Sequence, residues 1–207
     1  MTNSVSATKA ELRNQTLAKR NALSTEERIE KSLAAAERAK TCSALIEAAS
    51  NGAVISGFHP IRSEIDPRPL MAELATMGAR LALPVVIDKT TIVFRELVRG
   101  APMIDTGFGT MGPDETAAVL DPEVLIMPLS VFDAKGGRIG YGAGHYDRAI
   151  EKLINKGISP VLIGMAFQLQ QIVEVPVEPH DQPLAAIITE NEVMATCASG
   201  NLKGGAV

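Results

Sequence analysis

The chain has 207 residues, 46% of them hydrophobic, which is enough for one domain with a substantial buried core. A net charge of −4, an aromatic content of 3% and the absence of tryptophan argue against a nucleic-acid-binding surface, since such surfaces are basic and stack bases on aromatic rings. The two cysteines, Cys42 and Cys197, lack the spacing of a disulfide framework or a zinc site, and the sequence contains no signal peptide and no membrane-length apolar run. We therefore expect a cytoplasmic protein that binds neither nucleic acid nor membrane.

The N-terminal quarter of the sequence predicts helices. A T-x-x-E capping box at 8–11 places a helix start near Lys9. The same signal at Ser24 begins a second helix, whose apolar positions continue to about Ala49 before the turn signal Asn51-Gly52. Two helices in this part of the chain are therefore expected, the second of them long.

Beyond residue 52 the pattern alternates short apolar runs with helical periodicity. The predicted helices cover 67–78 and begin again near 146, and the predicted strands cover 53–58, 81–86, 91–98, 124–129, 161–165 and 185–189. Residues 100–115 are rich in glycine, proline and aspartate and are predicted to form a surface loop. The alternation indicates an α/β fold whose mostly parallel sheet is covered on both faces.

The sequence shows no repeats and no abrupt change of composition. We therefore predict a single domain over 1–207, with its core over 8–190 and loose tails over 1–7 and 200–207. In open parallel sheets, ligands bind beyond the carboxyl ends of the strands. This rule directs attention to the segment that follows the predicted strand 124–129.

The segment 133–148, which reads DAKGGRIGYGAGHYDR, contains five glycines. Glycine lets a ligand approach the main chain closely, and successive free N–H groups can form a concave anion site. The helix that follows would aim its positive N-terminal end at the same place, while Arg138 and Arg148 supply donors suited to phosphate. Asp147 adds a hard oxygen ligand of the kind that Mg²⁺ prefers. The segment therefore predicts a phosphate-binding loop with a nearby cation site.

A loop of this composition is equally compatible with a mobile hairpin before a polar helix start. It is not a Walker A motif, because no Gly-Lys-Ser/Thr ends it. It is also not the dinucleotide fingerprint, because the spacing is G-x-G-x-G and no acidic residue follows about 20 positions later. The loop taken alone leaves its ligand open.

Three further blocks accompany the loop: KAELR at 9–13, FHPIRSEID at 58–66, and GMAFQ at 164–168 followed by His180-Asp181. Together with RIGYGAGHYDR at 138–148, they resemble the blocks of the 5-formyltetrahydrofolate cyclo-ligase family, in the same order. That family usually reads K-x-x-L-R near its N-terminus and R-x-G-x-G-x-G-Y-Y-D in its glycine-rich loop. The blocks span nearly the whole chain, so the resemblance is far more specific than any one of them.

The resemblance implies a three-layer α/β/α sandwich with a mostly parallel central sheet, related to the sugar-phosphate isomerase and CoA-transferase group. It implies a reaction in which ATP drives the cyclisation of 5-formyltetrahydrofolate to 5,10-methenyltetrahydrofolate, with ADP and phosphate as the other products. ATP would be a co-substrate and Mg²⁺ the cofactor. The partners would be these small molecules, and the protein would act as a monomer.

The resemblance also assigns roles to residues. The catalytic residues would be Arg138, Tyr146 and Asp147. The ATP-binding residues would be Lys9, Arg13, Arg138, Ile139, Gly140, Tyr141, Gly142, Ala143, Gly144, His145 and Tyr146. The substrate-binding residues would be His59, Glu64, Tyr141, Gly142, Ala143, Gly144 and His145. Asp147 and Asp181 would hold the metal ion.

Each assignment competes with a structural alternative. Lys9 and Arg13 lie one helical turn apart, and Arg20 falls on the same stripe, which is also typical of a solvated helix face. Glu64 lies among charged neighbours and would equally suit a surface ion pair. Asp181 lies in a proline-rich stretch, where plain turn chemistry would explain it.

Three positions depart from the family pattern. His145 stands where the first tyrosine of Y-Y-D is usual, Ala143 where glycine or lysine is frequent, and Ala185 where a further acidic residue is expected. The last change removes a candidate metal ligand, and the scarcity of aromatic residues leaves the stacking partner of the pterin open. Two alternatives therefore remain: a catalytically weak relative that binds folate or nucleotide as a regulator, and a sugar-phosphate enzyme of related fold that needs no ATP.

Overall fold

The computed structural model describes residues 2–107, 109–178 and 181–196. These residues form five α-helices: α1 (Thr2–Asn21), α2 (Thr25–Ala39), α3 (Ser43–Ser50), α4 (Arg68–Met77) and α5 (His145–Asn155). They also form twelve strands: β1 (Val54–Ser56), β2 (Arg80–Val86), β3 (Ile92–Glu96), β4 (Met103–Gly107), β5 (Thr110–Pro113), β6 (Val119–Leu120), β7 (Val124–Pro128), β8 (Val131–Phe132), β9 (Arg138–Ile139), β10 (Val161–Met165), β11 (Ala186–Ile188) and β12 (Val193–Ala195). A single 3₁₀ turn covers Gln168–Gln170 in this part of the chain.

Eight strands form one sheet in the order β12-β11-β10-β7-β1-β2-β3-β6. The five strands from β11 to β2 run parallel to their neighbours, and the strands at both edges pair antiparallel. Two separate hairpins, β4–β5 and β8–β9, lie outside this sheet. The predicted α/β fold with a mostly parallel sheet is therefore confirmed, whereas its relation to the sugar-phosphate isomerase group stays a prediction.

Successive residues of β7 belong to two different hydrophobic cores, because neighbouring side chains of a strand point to opposite faces. Val124 and Ile126 pack in the core that also contains the buried residues of α2, α3 and α4. Leu125 and Met127 pack in the core formed with α5. Helices thus cover both faces, which gives the three layers that a sheet of continuously apolar parallel strands requires.

Two predictions about the N-terminal helices are wrong. Helix α1 begins at Thr2, not near Lys9, so the T-x-x-E pattern at 8–11 lies inside a helix and has no free helix end to cap. The expected long second helix is divided at residues 40–42, where the backbone tightens into bonds to the third residue back and Thr41 Oγ1 donates to the carbonyl of Arg38. The capping box at Ser24 does begin α2, with Ser24 and Glu27 bonded reciprocally.

The segment 100–115 was expected to be a surface loop, and this prediction is wrong because it contains the β4–β5 hairpin. Its glycine and aspartate serve the turn: Asp105 Oδ1 accepts a bond from the N–H of Gly107, which has a φ of 89°. Gly112 lets the hairpin approach the sheet, since a Cβ there would lie 2.8 Å from Cγ2 of Val85. Turn residues thus joined two short strands that lack strong apolar alternation.

The parallel strands direct two functional segments to the same edge of the sheet. Neighbouring strands β1 and β7 end next to each other, and their carboxyl ends lead into residues 57–66 and 130–144 respectively. Leu12 of α1 packs against the cluster of Val131, Ile139 and Val175 beside the β8–β9 hairpin. Helix α1 therefore borders this edge as well. None of the described helices is long and apolar enough to cross a membrane, and the predicted tail 200–207 lies outside the described residues.

Candidate functional site

The turn between β8 and β9 is fixed by the buried carboxylate of Asp133. Its Oδ1 accepts bonds from the N–H groups of Lys135 and Gly137, both at 2.9 Å, and its Oδ2 accepts one from Val175 at 2.7 Å. A Cβ on Gly137 would lie 2.8 Å from this carboxylate, so glycine is required there. The start of the glycine-rich loop is thus held rigidly at the end of β7.

The rest of the loop is enclosed by two arginines. Arg13 of α1 donates from Nε to the carbonyl of Gly140 at 2.7 Å, and its guanidinium lies 3.2 Å from where a Cβ of Gly142 would be. Arg148 of α5 donates to the carbonyl of Ala143 at 2.6 Å, and Gly144, with a φ of 66°, precedes the helix without a side-chain cap. Uncapped N–H groups at a helix start and two guanidinium groups favour an anion at this position.

Tyr141 joins the loop to α1 and to the segment after β1. Arg20, which is only 1% exposed, donates from Nη2 to the Tyr141 hydroxyl at 2.6 Å and from Nε to Ser63 Oγ at 3.0 Å. Ser63 Oγ in turn donates to Asn21 Oδ1. The buried guanidinium therefore ties three separate stretches of chain together. Sequence reasoning did not include Arg20 or Ser63 among the site residues, although Arg20 lies on the same helical stripe as Lys9 and Arg13.

Glu64 lies next to this junction and is 8% exposed. Its Oε2 accepts a 2.9 Å bond from the N–H of Ile61, and its carboxylate interacts with the Tyr141 hydroxyl. Burial raises the pKa of Glu64, and the N–H of Ile61 and the charge of Arg20 offset this only in part. The structure thus excludes the alternative of a surface ion pair, because Glu64 is a buried acceptor beside the loop.

Three buried polar atoms near the end of β7 lack a hydrogen-bond partner among the described residues: the Ser130 hydroxyl, Nε of Arg138 and the Tyr146 hydroxyl. Burial raises the pKa of Tyr146 far above its ordinary value, the charge of Glu64 raises it further, and Arg138 acts in the opposite direction. Tyr146 is therefore a neutral hydrogen-bond donor at physiological pH. Buried polar groups without partners are costly in a folded protein and are typical of sites that complete their bonds with a ligand.

The two carboxylates predicted to hold metal are each paired with a cation. Asp147 Oδ1 accepts from Arg138 Nη2 at 2.6 Å, and Asp181 Oδ2 accepts from Lys9 Nζ at 2.7 Å. Lys9 also binds Glu178 at 2.9 Å, and although burial acts to lower its pKa, these two carboxylates raise it overall. Within the described parts of the chain, no three His, Cys, Asp or Glu side chains form a metal cluster. Among the described residues, Asp147 and Asp181 are thus held in ion pairs and are not gathered into a metal site.

His59 and His145 lie at the periphery of this arrangement. The Nδ1 atom of His59 is buried without a partner among the described residues, and burial and the charge of Arg68 lower its pKa. His145 Nε2 is bonded to the carbonyl of Lys89 at 3.0 Å, in the turn between β2 and β3. His145 thus anchors the start of α5 to the sheet, a contact that its position in the sequence does not predict.

Comparison with known proteins identifies this architecture. A sequence profile of the 5-formyltetrahydrofolate cyclo-ligase family matches residues 5–190. The chain belongs to this family. The 5-formyltetrahydrofolate cyclo-ligase of Haemophilus influenzae is 32% identical over 140 residues, covering 65% of this chain and 74% of the relative. The enzyme of the same name from Escherichia coli K12 is 29% identical over 181 residues, covering 84% of this chain and 96% of the relative.

Solved structures agree with the sequence comparison. The structure of Aquifex aeolicus 5,10-methenyltetrahydrofolate synthetase superimposes with a TM-score of 0.76 at 27% identity, covering 96% of this chain and 95% of the other. A 5,10-methenyltetrahydrofolate synthetase from Mycoplasma pneumoniae has a TM-score of 0.68 at 24% identity, which shows a shared fold. The fold expected from the family resemblance is therefore present along nearly the entire chain.

The cyclo-ligase fold brings together most of the residues that the sequence singled out. Arg13 contacts Gly140, Arg138 contacts Asp147, and Glu64 interacts with Tyr141. Lys9 and Asp181 form a second pair beside Glu178. No hydrogen bond or ion pair among the described residues joins His59 to the glycine-rich loop. Its position after β1 nevertheless puts it in the same segment as Glu64.

Proposed function

We propose that this chain catalyses the ATP-driven cyclisation of 5-formyltetrahydrofolate to 5,10-methenyltetrahydrofolate, releasing ADP and phosphate, with Mg²⁺ as the metal ion. The observation that carries the proposal is the junction at Tyr141, where the glycine-rich loop meets Arg20 and Glu64. Tyr141 thus belongs to the proposed anion-binding loop and also contacts the buried hydrogen-bond acceptor Glu64. Such an arrangement suits an enzyme that couples phosphoryl transfer to the chemistry of a nitrogen heterocycle.

The reaction explains why these groups are needed. The N5-formyl group is an amide, so its carbon is a poor electrophile and its oxygen a poor leaving group. Transfer of the γ-phosphoryl group from ATP to the formyl oxygen activates the carbon and releases ADP. N10 then attacks this carbon and loses its proton, phosphate leaves with the former formyl oxygen, and the five-membered methenyl ring closes. The protein contributes positioning and charge neutralisation in both steps.

The glycine-rich loop and its arginines would hold the ATP phosphates. The N–H groups between Gly140 and His145, together with the start of α5, would bind the phosphate oxygens. Arg13 and Arg148 already enclose the loop through carbonyl contacts, and each keeps further N–H groups for phosphate. Lys9, one helical turn before Arg13 on α1, would add its charge. These residues would bind the nucleotide and orient its terminal phosphoryl group.

The folate would lie on the Glu64 side of Tyr141. The Glu64 carboxylate accepts hydrogen bonds from N–H groups, which the reduced pterin ring offers, and the imidazole of His59 follows β1 in the same segment. Arg138 and Tyr146 have buried donor atoms without partners, so they would bind the formyl oxygen as negative charge develops on it. Their roles in the reaction are therefore to stabilise charge and to exclude water.

Asp147 and Asp181 are the residues that would hold Mg²⁺ next to the phosphates. When bound, the ion would neutralise charge on the phosphate oxygens during transfer. In the structure each carboxylate is bonded to a cationic side chain, Asp147 to Arg138 and Asp181 to Lys9. Both side chains are thus kept in defined orientations before any ligand binds.

The test is to mix the protein with 5-formyltetrahydrofolate, ATP and Mg²⁺, and to follow both methenyltetrahydrofolate and ADP. The proposal predicts that they appear in equal amounts and that EDTA stops both. ATP hydrolysis without folate turnover would point to another phosphoryl-transfer activity. Binding of folate or nucleotide without turnover would instead identify a regulatory relative.

A further inference from the structure

A groove of about 260 Å³ lies between helix α2 and the segment 60–69. Its walls are formed by Thr25, Arg28, Ile29, Ser32, Leu33, Pro60, Arg62, Glu64, Asp66, Arg68 and Pro69. Ile29 and Leu33 lie one turn apart on α2 and are 57% and 51% exposed, so both present apolar surface to the groove. The groove therefore combines an apolar wall with several charged groups.

Three arginines line the groove, and their hydrogen bonds differ. Arg28 donates to the carbonyl of Leu23 at 2.7 Å and to Thr25, and Arg68 donates to Asp66 at 2.6 Å. The exposed guanidinium of Arg62 makes no hydrogen bond or ion pair to any described residue. Among the described residues, Arg62 is therefore the arginine of this groove whose N–H donors are all uncommitted, whereas Arg28 and Arg68 each use some of theirs.

The backbone of Arg62 is also unusual, because its φ is 53°. Among the described residues, this is the single non-glycine residue with a positive φ. The left-handed region is unfavourable for residues with a Cβ, and glycine would adopt it without strain. A long cationic side chain is thus present at a position where the backbone geometry would favour its replacement by glycine.

The groove leads directly to the proposed folate site, because Glu64 belongs both to its wall and to the junction with Tyr141. We infer that the groove binds the p-aminobenzoyl-glutamate arm of the folate substrate, with Arg62 pairing with a glutamate carboxylate. The aromatic ring would pack on Ile29 and Leu33. This inference rests on the proposed function, and it adds the residues that select a glutamate-bearing folate.

The complementarity between groove and ligand is specific. The arm of a folate is an apolar ring followed by two carboxylates, and the groove has an apolar wall followed by an arginine whose donors remain available. An Arg–carboxylate pair adds a charge-assisted, two-point contact that a folate analogue without any carboxylate on this arm cannot make. The pterin end would remain beside Glu64, whose buried carboxylate is shielded from water.

Calorimetric titration in the absence of ATP tests the inference without requiring turnover. The two ligands are 5-formyltetrahydrofolate and the N-methylamide of 5-formyltetrahydropteroate, which keeps the aromatic amide but has no carboxylate. We expect the parent protein to bind the glutamate-bearing ligand about tenfold more tightly, as one charge-assisted contact allows. Arg62→Gly should abolish this preference without lowering the melting temperature, since glycine suits the backbone there. Arg99→Gly, which removes an exposed arginine in the turn before β4, should preserve it.

The outcomes separate this inference from the proposed function. Equal affinities of the parent for the two ligands, or a preference that survives in Arg62→Gly, would overturn the role of the groove while leaving turnover unaffected. Loss of affinity for both ligands in Arg62→Gly would also overturn it, since that result means a general disturbance of the site. Absence of turnover with an Arg62-dependent preference would refute the proposed function and support the groove as a binding site.

Discussion

Arg20 of helix α1 donates a 2.6 Å hydrogen bond to the hydroxyl of Tyr141 in the glycine-rich loop, and its guanidinium carbon lies 5.9 Å from the centre of the same ring. Because Arg20 is buried and also bonded to Ser63, it connects the loop to the segment that carries Glu64. Its positive charge opposes the rise in the pKa of the buried Glu64 carboxylate more than the charge of Arg62 does. The relative placement of the two halves of the site therefore depends on one side chain.

Replacing Arg20 with methionine tests this dependence, because methionine keeps much of the volume and removes the charge and donors. We expect the free energy of unfolding to fall by about 3 kcal/mol, since Glu64 would remain buried without its compensating cation. Urea denaturation measures the change. Lys19→Met, at the exposed neighbouring position of α1, should change stability by no more than about 0.5 kcal/mol. Similar effects of the two variants would mean that Arg20 contributes nothing specific.

Glu64 should make stability depend on pH in an unusual direction. Burial raises its pKa in the folded protein, with Arg20, Arg62 and Tyr141 opposing the shift. The folded state then binds a proton at a higher pH than the unfolded chain does, so stability increases as the pH falls through the raised pKa. Relative to Glu64→Gln, the parent should therefore gain stability between pH 7 and pH 5. Urea titrations of both proteins at the two pH values measure this, and a constant difference would show that Glu64 titrates normally.

Arg13 is expected to act on the nucleotide. It holds the carbonyl of Gly140 and has further donors for phosphate, so Arg13→Ala should raise KM for ATP by about tenfold or more and KM for the folate much less. Lys31→Ala is the matched control. Like Arg13, Lys31 is a cation that joins a helix to a segment distant in sequence, through Glu190 at 2.8 Å, but it lies outside the site. Parallel increases in both KM values for Arg13→Ala would indicate a general disturbance.

Asp147 is expected to be needed for chemistry. Asp147→Asn keeps the size and removes the charge proposed to hold Mg²⁺, so kcat should fall by on the order of a hundredfold or more. Asp121→Asn removes another ion-paired carboxylate, bonded to Lys156 at the surface, and should leave kcat nearly unchanged. Steady-state kinetics at saturating Mg²⁺ decide the point. If kcat of Asp147→Asn stays within about threefold of the parent, Asp147 serves only the helix start and its bond to Arg138.

The sequence was sufficient for six of the eight strands of the sheet, with the edge strands β6 and β12 missed, and for the location of the loop. Continuous apolar runs such as Val124–Pro128 indicate buried parallel strands, and the glycines after them indicate where the chain must approach a ligand. The break between α2 and α3 and the β4–β5 hairpin were not predicted. Both depend on turn residues that are also compatible with other local structures, a continuous helix in the first case and an open loop in the second. Tertiary packing therefore determines which structure forms.

The contacts within the site were less predictable than its position. Arg20 lies on the same helical stripe as Lys9 and Arg13, a pattern that also fits a solvated face, and sequence cannot tell that its guanidinium is buried against Tyr141. Likewise, Glu64 has charged neighbours in sequence, yet it is buried and bonded to the N–H of Ile61. Long-range contacts of this kind depend on the packing of α1 across the sheet edge, which no local pattern encodes.

Formation of the methenyl ring is the most direct measure of the central claim. The protein, 5-formyltetrahydrofolate, ATP and Mg²⁺ are mixed, and near-ultraviolet absorbance of 5,10-methenyltetrahydrofolate is followed against a reaction without ATP. The account predicts that product accumulates only when ATP is present and that one ADP is formed for each ring closed. Product formation at the same rate without ATP, or no product from protein that binds both substrates, would contradict it.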